Sequence, residues 1–391
     1  MFKSNSGHPT VDGLPLAQLR TRKSFKWRGF PQDVLPLPVA EMDFEIAKPI
    51  RDELISMLEV SDTGYLGPIP ELGLNFASFA AARWDWKVDP EQLFTCTDVG
   101  VGMVEMGRMV VKPGDLIMYN TPVYYNILNW INELKCEAVD APLAKNGLHY
   151  TLDLSIVEAG YKKGVKAHFL CNPHNPVGTV FTKSELAALA ELAKKYGVTI
   201  FSDEIHAPLV YESGAFVPFL SVSETAREVG ICVTAASKSW NLAGLKCATI
   251  ITAHPDQKAR ADAMPLAVHY RASLFGAVAA AKAYECTDWL DAALVTLDRN
   301  RKFVAAQLAE KLPTVGYRIP DCSYLAWLDL SSLNLGEKPA DLLLEKGKVA
   351  FNPGIDFGPN SAQFVRLNFG TSEEIIAQGI DRIRTASEAM N

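Results

Sequence analysis

Three polar side chains stand at the ends of apolar, strand-like segments and could do chemistry together. Asp203 ends the apolar run 198–202, Lys238 follows the run 229–234, and Asn175 lies in an Asn- and Pro-rich loop after a third run. An amine can condense with an aldehyde, a carboxylate can pair with a pyridine nitrogen, and an amide can donate to a phenolate oxygen. These are the contacts that a pyridoxal ring requires.

Each of these residues also has a purely structural interpretation. A lysine is usually a solvated surface charge, but Lys238 follows a buried-strand pattern and has a serine on either side. A desolvated lysine near a second cation has a lowered pKa and becomes nucleophilic, and Lys246 could be that cation or could bind phosphate. Asp203 could simply cap a helix, and the loop around Asn175 could be only a tight turn.

Further candidates could hold a phosphate, a flat ring or a carboxylate. Gly100 lies in a Gly-rich stretch, 99–102, before a helix-like run, and amides at a helix N-terminus bind phosphate. Tyr124 could stack on a ring, although tyrosines at strand ends usually serve packing. Arg366 could clamp a substrate carboxylate or form an ordinary ion pair. His206, three residues after the candidate carboxylate, could orient the ring or that carboxylate, or could be structural.

The elements that must position these residues are clearest just upstream of Asp203. An apolar run predicts a strand at 165–170. Thr182 and Glu185 then form a capping box, and Gly197 is placed to end the helix that begins there. The next strand runs into Asp203, and such a unit favours a mostly parallel sheet. Because ligands of parallel sheets bind beyond the carboxyl ends of the strands, we predict an α/β fold in which the three polar side chains meet.

The pattern along the chain predicts two domains and an N-terminal segment. Residues 1–47 are irregular and rich in Pro, and residues 48–285 alternate between strand-like and helix-like segments. Residues 286–391 combine a long helix-like stretch with several strands. We expect a large cofactor-binding domain with a mostly parallel sheet, then a smaller α+β domain, with the N-terminal segment packed against the smaller one.

The bulk composition argues against several classes of protein. The 391 residues carry 38 basic and 45 acidic side chains, a net charge of −7, which disfavours nucleic acid or an anionic membrane as the main partner. No apolar stretch is long enough to span a bilayer, and we expect no signal peptide. The seven histidines show no metal-ligand spacing, and the seven cysteines form no CxxC motif. We therefore expect buried free thiols, no metal and a reducing cytoplasmic location.

Motifs spread over nearly the whole chain resemble those of fold type I pyridoxal-phosphate enzymes in the class I/II aminotransferase superfamily. Within it they are most similar to the MalY/PatB family of cystathionine β-lyases and cystalysin-like C–S lyases. The matching segments are PVAEMDF (38–44), TGY (63–65), TPVYY (121–125), CNPHNPVG (171–178), SDEIH (202–206), ASK (236–238), NLAGL (241–245) and VRLNF (365–369). Typical aminotransferases tend to carry tyrosine where His206 stands, which makes that position a useful discriminator.

The resemblance implies how pyridoxal phosphate is held. Lys238 would form the Schiff base, Asp203 would pair with the pyridine nitrogen, and Asn175 would contact the ring oxygen. The other implied cofactor contacts are stacking by Tyr124, support of the ring by His206, and phosphate binding by Ser237, Lys246 and the amides near Gly100 and Val101.

The resemblance also implies the reaction and the quaternary structure. Arg366 and the backbone near Ala40 would hold the carboxylate of an amino-acid substrate. Tyr65 would reach the phosphate of the neighbouring subunit in a homodimer. The implied reaction is α,β-elimination on L-cystathionine or another L-cysteine S-conjugate, which yields a thiol, pyruvate and ammonia. Two alternatives stay open: an aminotransferase with the same cofactor contacts, and a pyridoxal-phosphate-bound regulatory protein, although the intact Lys238 argues against a purely binding role.

Two segments depart from the family pattern. Cys322 stands where the family often has glycine, and the loop 352–360 is individual. We expect both to lie near the substrate side chain, so they bear on the choice of substrate more than on the reaction type.

Overall fold

The computed structural model describes residues 10–212 and 214–390. The strands are β1 (Leu35–Pro36), β2 (Leu93–Cys96), β3 (Leu116–Tyr119), β4 (Glu137–Asp140), β5 (Ala144–Asn146), β6 (His149–Thr151), β7 (Ala167–Cys171), β8 (Thr199–Asp203), β9 (Gly230–Thr234), β10 (Ala248–Ile251), β11 (Gly316–Tyr317), β12 (Leu325–Asp329), β13 (Val349–Ala350), β14 (Asn352–Pro353) and β15 (Phe364–Asn368). The α-helices are α1 (Leu16–Leu19), α2 (Phe25–Arg28), α3 (Lys48–Glu59), α4 (Pro70–Trp84), α5 (Val99–Arg108), α6 (Asn126–Glu133), α7 (Leu154–Tyr161), α8 (Lys183–Tyr196), α9 (Glu224–Val229), α10 (Ala236–Ser239), α11 (Pro255–Asp262), α12 (Leu266–Tyr270), α13 (Leu274–Glu285), α14 (Thr287–Lys311), α15 (Pro339–Glu345) and α16 (Glu373–Glu388).

A seven-stranded sheet lies at the centre of the larger part of the molecule. Its strands follow the order β2-β10-β9-β8-β7-β3-β4, and every neighbouring pair is parallel except the two that involve β10. The prediction of a mostly parallel sheet is therefore confirmed. Crossover connections bring β3, β7, β8 and β9 side by side, so the loops after these strands emerge at one edge.

Both faces of this sheet are buried, and consecutive residues of one strand enter different apolar cores. In β8, Ile200 packs into one core and Phe201 into the other, and Cys232 and Val233 of β9 divide in the same way. One core includes side chains of α8 and α13, and the other includes side chains of α5 and α6. Burial on both faces explains why these strands are continuous apolar runs in the sequence.

Helix α8, between β7 and β8, has the predicted terminal signals. Thr182 Oγ1 accepts from Glu185 N at 3.2 Å, and the Glu185 carboxylate accepts from Thr182 N at 2.8 Å. Gly197 ends the helix in the left-handed region at φ 66°, where glycine has no Cβ to clash. The capping box and the C-terminal glycine are confirmed, and the chain then enters β8, which ends at Asp203.

The C-terminal part of the chain contains a smaller sheet. Its strands follow the order β11-β12-β15-β14, and each neighbouring pair is antiparallel. Arg366 lies on β15, opposite Trp327 of β12 and Asn352 of β14. This sheet, and not the large one, therefore supplies the candidate arginine.

The N-terminal segment joins this smaller part of the molecule. Strand β1 pairs in parallel with β13, and Leu35 N donates to Lys348 O at 2.8 Å. The domain boundaries at residues 47 and 285 stay a prediction.

All seven cysteines are free and buried, which confirms the expected thiols. Within the described ranges, no helix is long and apolar enough to cross a membrane. The same residues contain no group of three or more His, Cys, Asp or Glu side chains arranged to hold a metal ion.

Candidate active site

Four adjacent strands carry the main candidate residues to one edge of the large sheet. Strands β9, β8, β7 and β3 lie side by side, and Lys238, Asp203, Asn175 and Tyr124 lie at or just beyond their carboxyl ends, in that order. All four line one cavity of about 810 Å³. The structure thus brings together residues that are far apart in the chain, at the place where parallel sheets bind ligands.

Lys238 lies on the short helix α10, directly after β9. The pKa of Lys238 is lowered from 10.5 to about 8. Burial is the largest cause and the guanidinium of Arg366 is the second, while nearby carboxylates act in the opposite direction. The sequence suggested Lys246 as the second cation, but Lys246 contributes less than Arg366. The lowered pKa makes the neutral, nucleophilic amine available near neutral pH.

Asp203, the last residue of β8, is only 4% exposed. Its Oδ1 accepts from Ile205 N at 3.2 Å, and no other donor among the described residues bonds this carboxylate. Burial raises the pKa of Asp203 from 3.8 to about 7. Because a buried carboxylate is costly unless it is paired, a positive group in the cavity would offset this cost.

Asn175 and Tyr124 lie on neighbouring loops that a main-chain hydrogen bond joins, from Tyr124 N to Asn175 O at 3.1 Å. Asn175 Oδ1 accepts from Arg366 Nη1 at 3.1 Å, so its Nδ2, which has no partner among the described residues, can donate to a ligand. The Tyr124 hydroxyl accepts from Asn126 Nδ2 at 2.5 Å. Burial raises the pKa of Tyr124 to about 12, so it stays neutral and presents an aromatic wall.

Helix α5 begins at the same cavity. Its N-cap residue, Asp98, accepts from Val101 N at 2.9 Å and forms an ion pair with Lys246 Nζ at 3.1 Å. The Val101 amide, implied as a phosphate contact, is therefore already bonded to Asp98. Lys246 lines the cavity as predicted, with its charge shared with this carboxylate.

Gly100 and Ser237 complete this end of the cavity. The amide of Gly100 lies in the first turn of α5, where no intrahelical acceptor exists. A Cβ on Gly100 would lie 2.8 Å from the indole Nε1 of Trp130, so only glycine fits against that ring. A helix N-terminus, a hydroxyl and an ammonium group here form a suitable anion site.

Arg366 forms another part of the wall and is 2% exposed. Its Nη2 donates to Pro38 O at 3.0 Å and to Asn352 Oδ1 at 2.6 Å. Its Nε is buried and has no hydrogen-bond partner among the residues that the structure describes. Burial lowers the pKa of Arg366 from 12.5 to about 10, so it stays charged at neutral pH and can bind a carboxylate.

The loop 38–43 lines the cavity with its first three residues and is held by its main-chain groups. Asn368 Nδ2 donates to Val39 O at 2.6 Å and to Glu41 O at 2.7 Å. Asn241 Nδ2 donates to Met42 O, and its Oδ1 accepts from Met42 N, both at 2.8 Å. The two asparagines lie in the motifs quoted above, but their function as loop holders has no signature in the sequence.

Ala40, at the centre of this loop, contacts the predicted catalytic amine directly. Its carbonyl oxygen accepts from Lys238 Nζ at 2.8 Å and from the hydroxyl of Tyr324 at 3.0 Å. The prediction placed the backbone near Ala40 at the substrate carboxylate, and the structure places it beside Lys238. Tyr324 was not singled out from the sequence.

His206 lines the cavity and is 3% exposed. Its Nδ1 lies 3.1 Å from Ser323 Oγ, and its ring lies edge-on to Tyr324 at 6.3 Å. Burial, assisted by nearby cations, lowers the pKa of His206 to about 3, so the ring is neutral. The sequence suggested that His206 orients either the cofactor ring or the carboxylate of Asp203. The structure shows no hydrogen bond between His206 and Asp203.

Glu204, next to the candidate carboxylate, is a buried acid that the sequence analysis missed. It is 2% exposed, and its Oε1 accepts from Ser202 Oγ at 2.9 Å and from Phe219 N at 2.8 Å. Burial raises the pKa of Glu204 from 4.5 to about 7. The side chain anchors the end of β8 to the segment that contains Phe219, and it does not line the cavity.

Two residues singled out from the sequence lie away from this cavity. Tyr65 is 97% exposed and does not line it, so any contact with a phosphate requires a second subunit. Cys322 is completely buried and does not line it either, so its expected position near the substrate side chain stays a prediction. Asn352 and Pro353, at the start of the individual loop, do line the cavity.

The donor set fits pyridoxal phosphate. Lys238 offers an amine of lowered pKa, and Asp203 is a buried carboxylate that needs a positive partner. Asn175 has a free amide donor, and Lys246 with the start of α5 can take a phosphate. These are the groups required by the aldehyde, the ring nitrogen, the ring oxygen and the phosphate.

Known proteins are similar to this chain in sequence and in fold. The model of the family described as aminotransferase class I and II matches residues 33–383. Cystathionine β-lyase of Corynebacterium glutamicum is 37% identical over 374 residues, with 94% of this chain and 98% of that protein covered. Cystathionine β-lyase PatB of Bacillus subtilis is 32% identical over 367 residues, with 90% and 92% covered. The crystal structure of cystalysin from Treponema denticola, which contains pyridoxal 5′-phosphate, has a TM-score of 0.91 at 26% identity and covers 98% of this chain and 100% of its own. The chain therefore belongs to the aminotransferase class I and II family, and within it to the MalY/PatB branch of fold type I pyridoxal-phosphate-dependent enzymes.

Proposed function

We propose that this enzyme is a carbon–sulfur lyase that eliminates a thiol from an L-cysteine S-conjugate such as L-cystathionine, with release of pyruvate and ammonia. The observation that carries the proposal is the Lys238 amine, with a pKa near 8, in one cavity with a charged Arg366. The similarity to proteins named cystathionine β-lyase supports this reaction over others on the same scaffold.

Arg366 would bind the substrate carboxylate. Hydrogen bonds to Asn175, Asn352 and the carbonyl of Pro38 hold the guanidinium in place, while its Nε–H has no partner in the described part of the chain. A preorganised guanidinium loses little side-chain entropy on binding, so it can fix the α-carbon relative to Lys238.

Lys238, Asp203, Asn175 and Lys246 would hold the cofactor. Bound pyridoxal phosphate would supply an aldehyde for the substrate amine and a ring that withdraws electrons from the α-carbon. Asp203 would keep a proton on the ring nitrogen, because its buried carboxylate is stabilised by a cationic partner. Asn175 would donate its free N–H to the ring oxygen, and Tyr124 would cover one side of the ring.

Proton transfer at the substrate would fall to Lys238. In its neutral form, Nζ can accept the proton from the α-carbon, and a pKa near 8 makes this form accessible at neutral pH. Release of the thiolate from the β-carbon leaves 2-aminoacrylate, which water hydrolyses to pyruvate and ammonia once it has left the site. The walls formed by Tyr124, His206 and the loop 38–43 would limit access of water.

The direct test is to count pyruvate and free thiol released from L-cystathionine by the purified enzyme. Equal amounts of the two products are expected for β-elimination. Transfer of the amino group to a keto acid without pyruvate would contradict the proposal and identify an aminotransferase, the function that the family name itself favours.

A variant test addresses the amine itself. Lys238→Ala should abolish turnover while the circular-dichroism spectrum and melting temperature of the apoenzyme stay close to those of the parent. Lys238→Arg is the matched control, since it retains a cation but cannot act as the nucleophile or base. Near-normal turnover in either variant would eliminate the role proposed for Lys238.

We further propose that the active unit is a cytoplasmic homodimer. An almost fully exposed Tyr65 outside its own cavity is consistent with a contact to the site of a second subunit. The seven free, buried cysteines are consistent with a reducing compartment.

A further inference from the structure

His174 lies between Asn172 and Asn175 in the loop after β7, behind the cavity wall. It is 1% exposed and is absent from the lining of the cavity. Its main chain is used locally, because His174 N donates to Thr179 O and its carbonyl accepts from Gly178 N, both at 2.8 Å. The ring, in contrast, makes contacts beyond its own loop.

The imidazole bridges the two loops that carry the candidate ring contacts. Its Nδ1 lies 3.1 Å from Cys171 O, at the end of β7. Its Nε2 lies 2.9 Å from Pro122 O, which is 52 residues away in sequence and belongs to the loop of Tyr124. The ring thus adds a side-chain bridge to the main-chain hydrogen bond between Tyr124 and Asn175.

The imidazole of His174 faces two hydrogen-bond acceptors but, when neutral, has only one N–H to donate. Both partners of His174 are carbonyl oxygens, which only accept hydrogen bonds, while a neutral imidazole has a single N–H. Burial lowers the pKa of His174 from 6.5 to about 4, so the ring is neutral at pH 7. We assign the proton to Nε2 because its contact, to Pro122 O, is the shorter of the two, and a hydrogen bond there connects the two loops.

We propose that His174 is a positioning residue for the cofactor: its bond to Pro122 O fixes the separation between the amide of Asn175 and the ring of Tyr124. This inference rests on the cofactor contacts assigned above to Asn175 and Tyr124. A loosened bridge would let the two loops move apart, and cofactor affinity would fall although no group in contact with the cofactor had changed.

Three substitutions of His174 distinguish the contributions of its two ring nitrogens. The amide nitrogen of His174→Gln can take the position of Nε2 and keep the bond to Pro122. His174→Asn can take the position of Nδ1 and keep only the bond to Cys171. His174→Phe retains a flat ring, which fits the edge-to-face contact with Phe181 at 5.7 Å, but loses both bonds.

The experiment titrates each apoenzyme with pyridoxal phosphate and records the visible circular dichroism of the bound cofactor, with the melting temperature of the apoenzyme in parallel. His174→Gln should bind the cofactor within about threefold of the parent. His174→Asn and His174→Phe should bind it about tenfold more weakly, with a reduced dichroic band, as expected for loss of one hydrogen bond. Equal losses in the Gln and Asn variants that follow their melting temperatures would show a merely structural role and overturn the proposal.

Asn175→Ala distinguishes this inference from the proposed cofactor contacts. If Asn175→Ala weakens cofactor binding while His174→Asn does not, the positioning role is wrong and the contact of Asn175 stands. If Asn175→Ala leaves cofactor binding unchanged, the assigned contact fails, and the positioning role fails with it.

Discussion

At the residue scale, one physical effect acts on the ionisable groups of the cavity with opposite signs. Burial penalises charge, so it lowers the pKa of Lys238 to about 8 and raises the pKa of Asp203 to about 7. Both groups therefore titrate close to neutrality, and for Lys238 such a pKa suits the proton transfer proposed at the substrate. His206 follows the same rule and stays neutral, so it adds polarity but no charge.

Asp203→Asn is expected to stabilise the apoenzyme above pH 7 while it impairs the holoenzyme. The folded-state pKa, about 7, lies above the ordinary value of 3.8, so the folded chain binds more protons between these values and loses stability as the pH rises through them. Asparagine removes this loss, so the apo variant should gain at most about 4 kcal/mol at pH 8 and less at pH 5.

Thermal unfolding of both apoenzymes at the two pH values measures the Asp203 effect, and cofactor affinity is the control. The variant should bind pyridoxal phosphate more weakly because the positive ring nitrogen loses its carboxylate. An equal gain in stability at pH 5 and pH 8 would show that ionisation of Asp203 is not its source.

Arg366→Gln should shift the pH dependence of cofactor capture by the apoenzyme upward. Only the neutral amine attacks the aldehyde, so the capture rate of the parent should rise with a midpoint near pH 8. Burial is the larger cause of the lowered pKa of Lys238 and would persist in the variant. Removal of the guanidinium would raise this pKa part of the way back toward 10.5. Stopped-flow absorbance gives the midpoint, and Lys246→Gln, which removes a smaller contribution, should move it less. An unmoved midpoint in Arg366→Gln would assign the whole effect to burial.

At the scale of elements, the ends of the strands and helices determine where the reactive groups lie. Strands β7, β8 and β9 each end beside the cavity, and α5 begins there. Between β9 and β10 the chain makes a tight turn at Leu245 and Lys246, against which the start of α13 packs. The position of the candidate phosphate ligand Lys246 therefore depends on the fit of this helix.

Gly276→Ala should weaken cofactor binding through this contact. A Cβ on Gly276, in the first turn of α13, would lie 2.2 Å from Leu245 O and 3.0 Å from Leu245 C, so the turn that carries Lys246 must shift. We expect a loss of about 1–3 kcal/mol in stability and about tenfold in affinity for pyridoxal phosphate. Gly244→Ala is the matched control, because a Cβ there meets no atom within 4 Å. Equal losses in the two variants would refute the steric explanation.

Thr182→Ala should reduce stability without any effect on turnover. It removes the hydroxyl that caps α8 at Glu185 N, which is typically worth about 1 kcal/mol. Urea unfolding of the apoenzyme should show this loss, and Thr182→Ser, which retains a capping hydroxyl, should show little of it. A fall in kcat with Thr182→Ala would mean that α8 influences the cavity in a way that the packing does not suggest.

At the scale of the whole molecule, the cavity exists only where distant parts of the chain meet. The large sheet supplies the groups for the cofactor, the small sheet supplies Arg366, and the loop 38–43 connects them through Asn241 and Asn368. We propose that a second subunit completes the cavity, with its Tyr65 as the contributed residue.

Mixed dimers test whether Tyr65 acts across subunits. Tyr65→Ala and Lys238→Ala should each be strongly impaired alone. In a heterodimer of the two, one site combines the intact Lys238 of one subunit with the intact Tyr65 of the other. Random mixing should therefore restore about a quarter of the parent activity, since half the dimers are mixed and each has one complete site. No recovery, with mixed dimers verified by mass spectrometry, would show that Tyr65 acts within its own subunit. Full activity of Tyr65→Ala alone would show that Tyr65 has no role at the site.

The sequence by itself determined the fold class, and most of the site residues predicted from it line the cavity. Apolar runs end at Asp203 and just before Lys238, and the capping box at Thr182 defines the helix between two parallel strands. These signals are local, and parallel strands bring their carboxyl ends to one edge whatever the intervening sequence, so Asn175, Asp203 and Lys238 could be expected to meet.

Only the tertiary structure decided which distant groups act on those residues. It identified Arg366 rather than Lys246 as the stronger cation at Lys238, left Cys322 outside the lining of the cavity, and joined His174 to Pro122. Coulombic effects and desolvation depend on distances through space, and residue spacing along the chain does not determine those distances. The chemistry of the cavity residues was therefore readable from the chain, while their pKa values and their supporting contacts required the folded molecule.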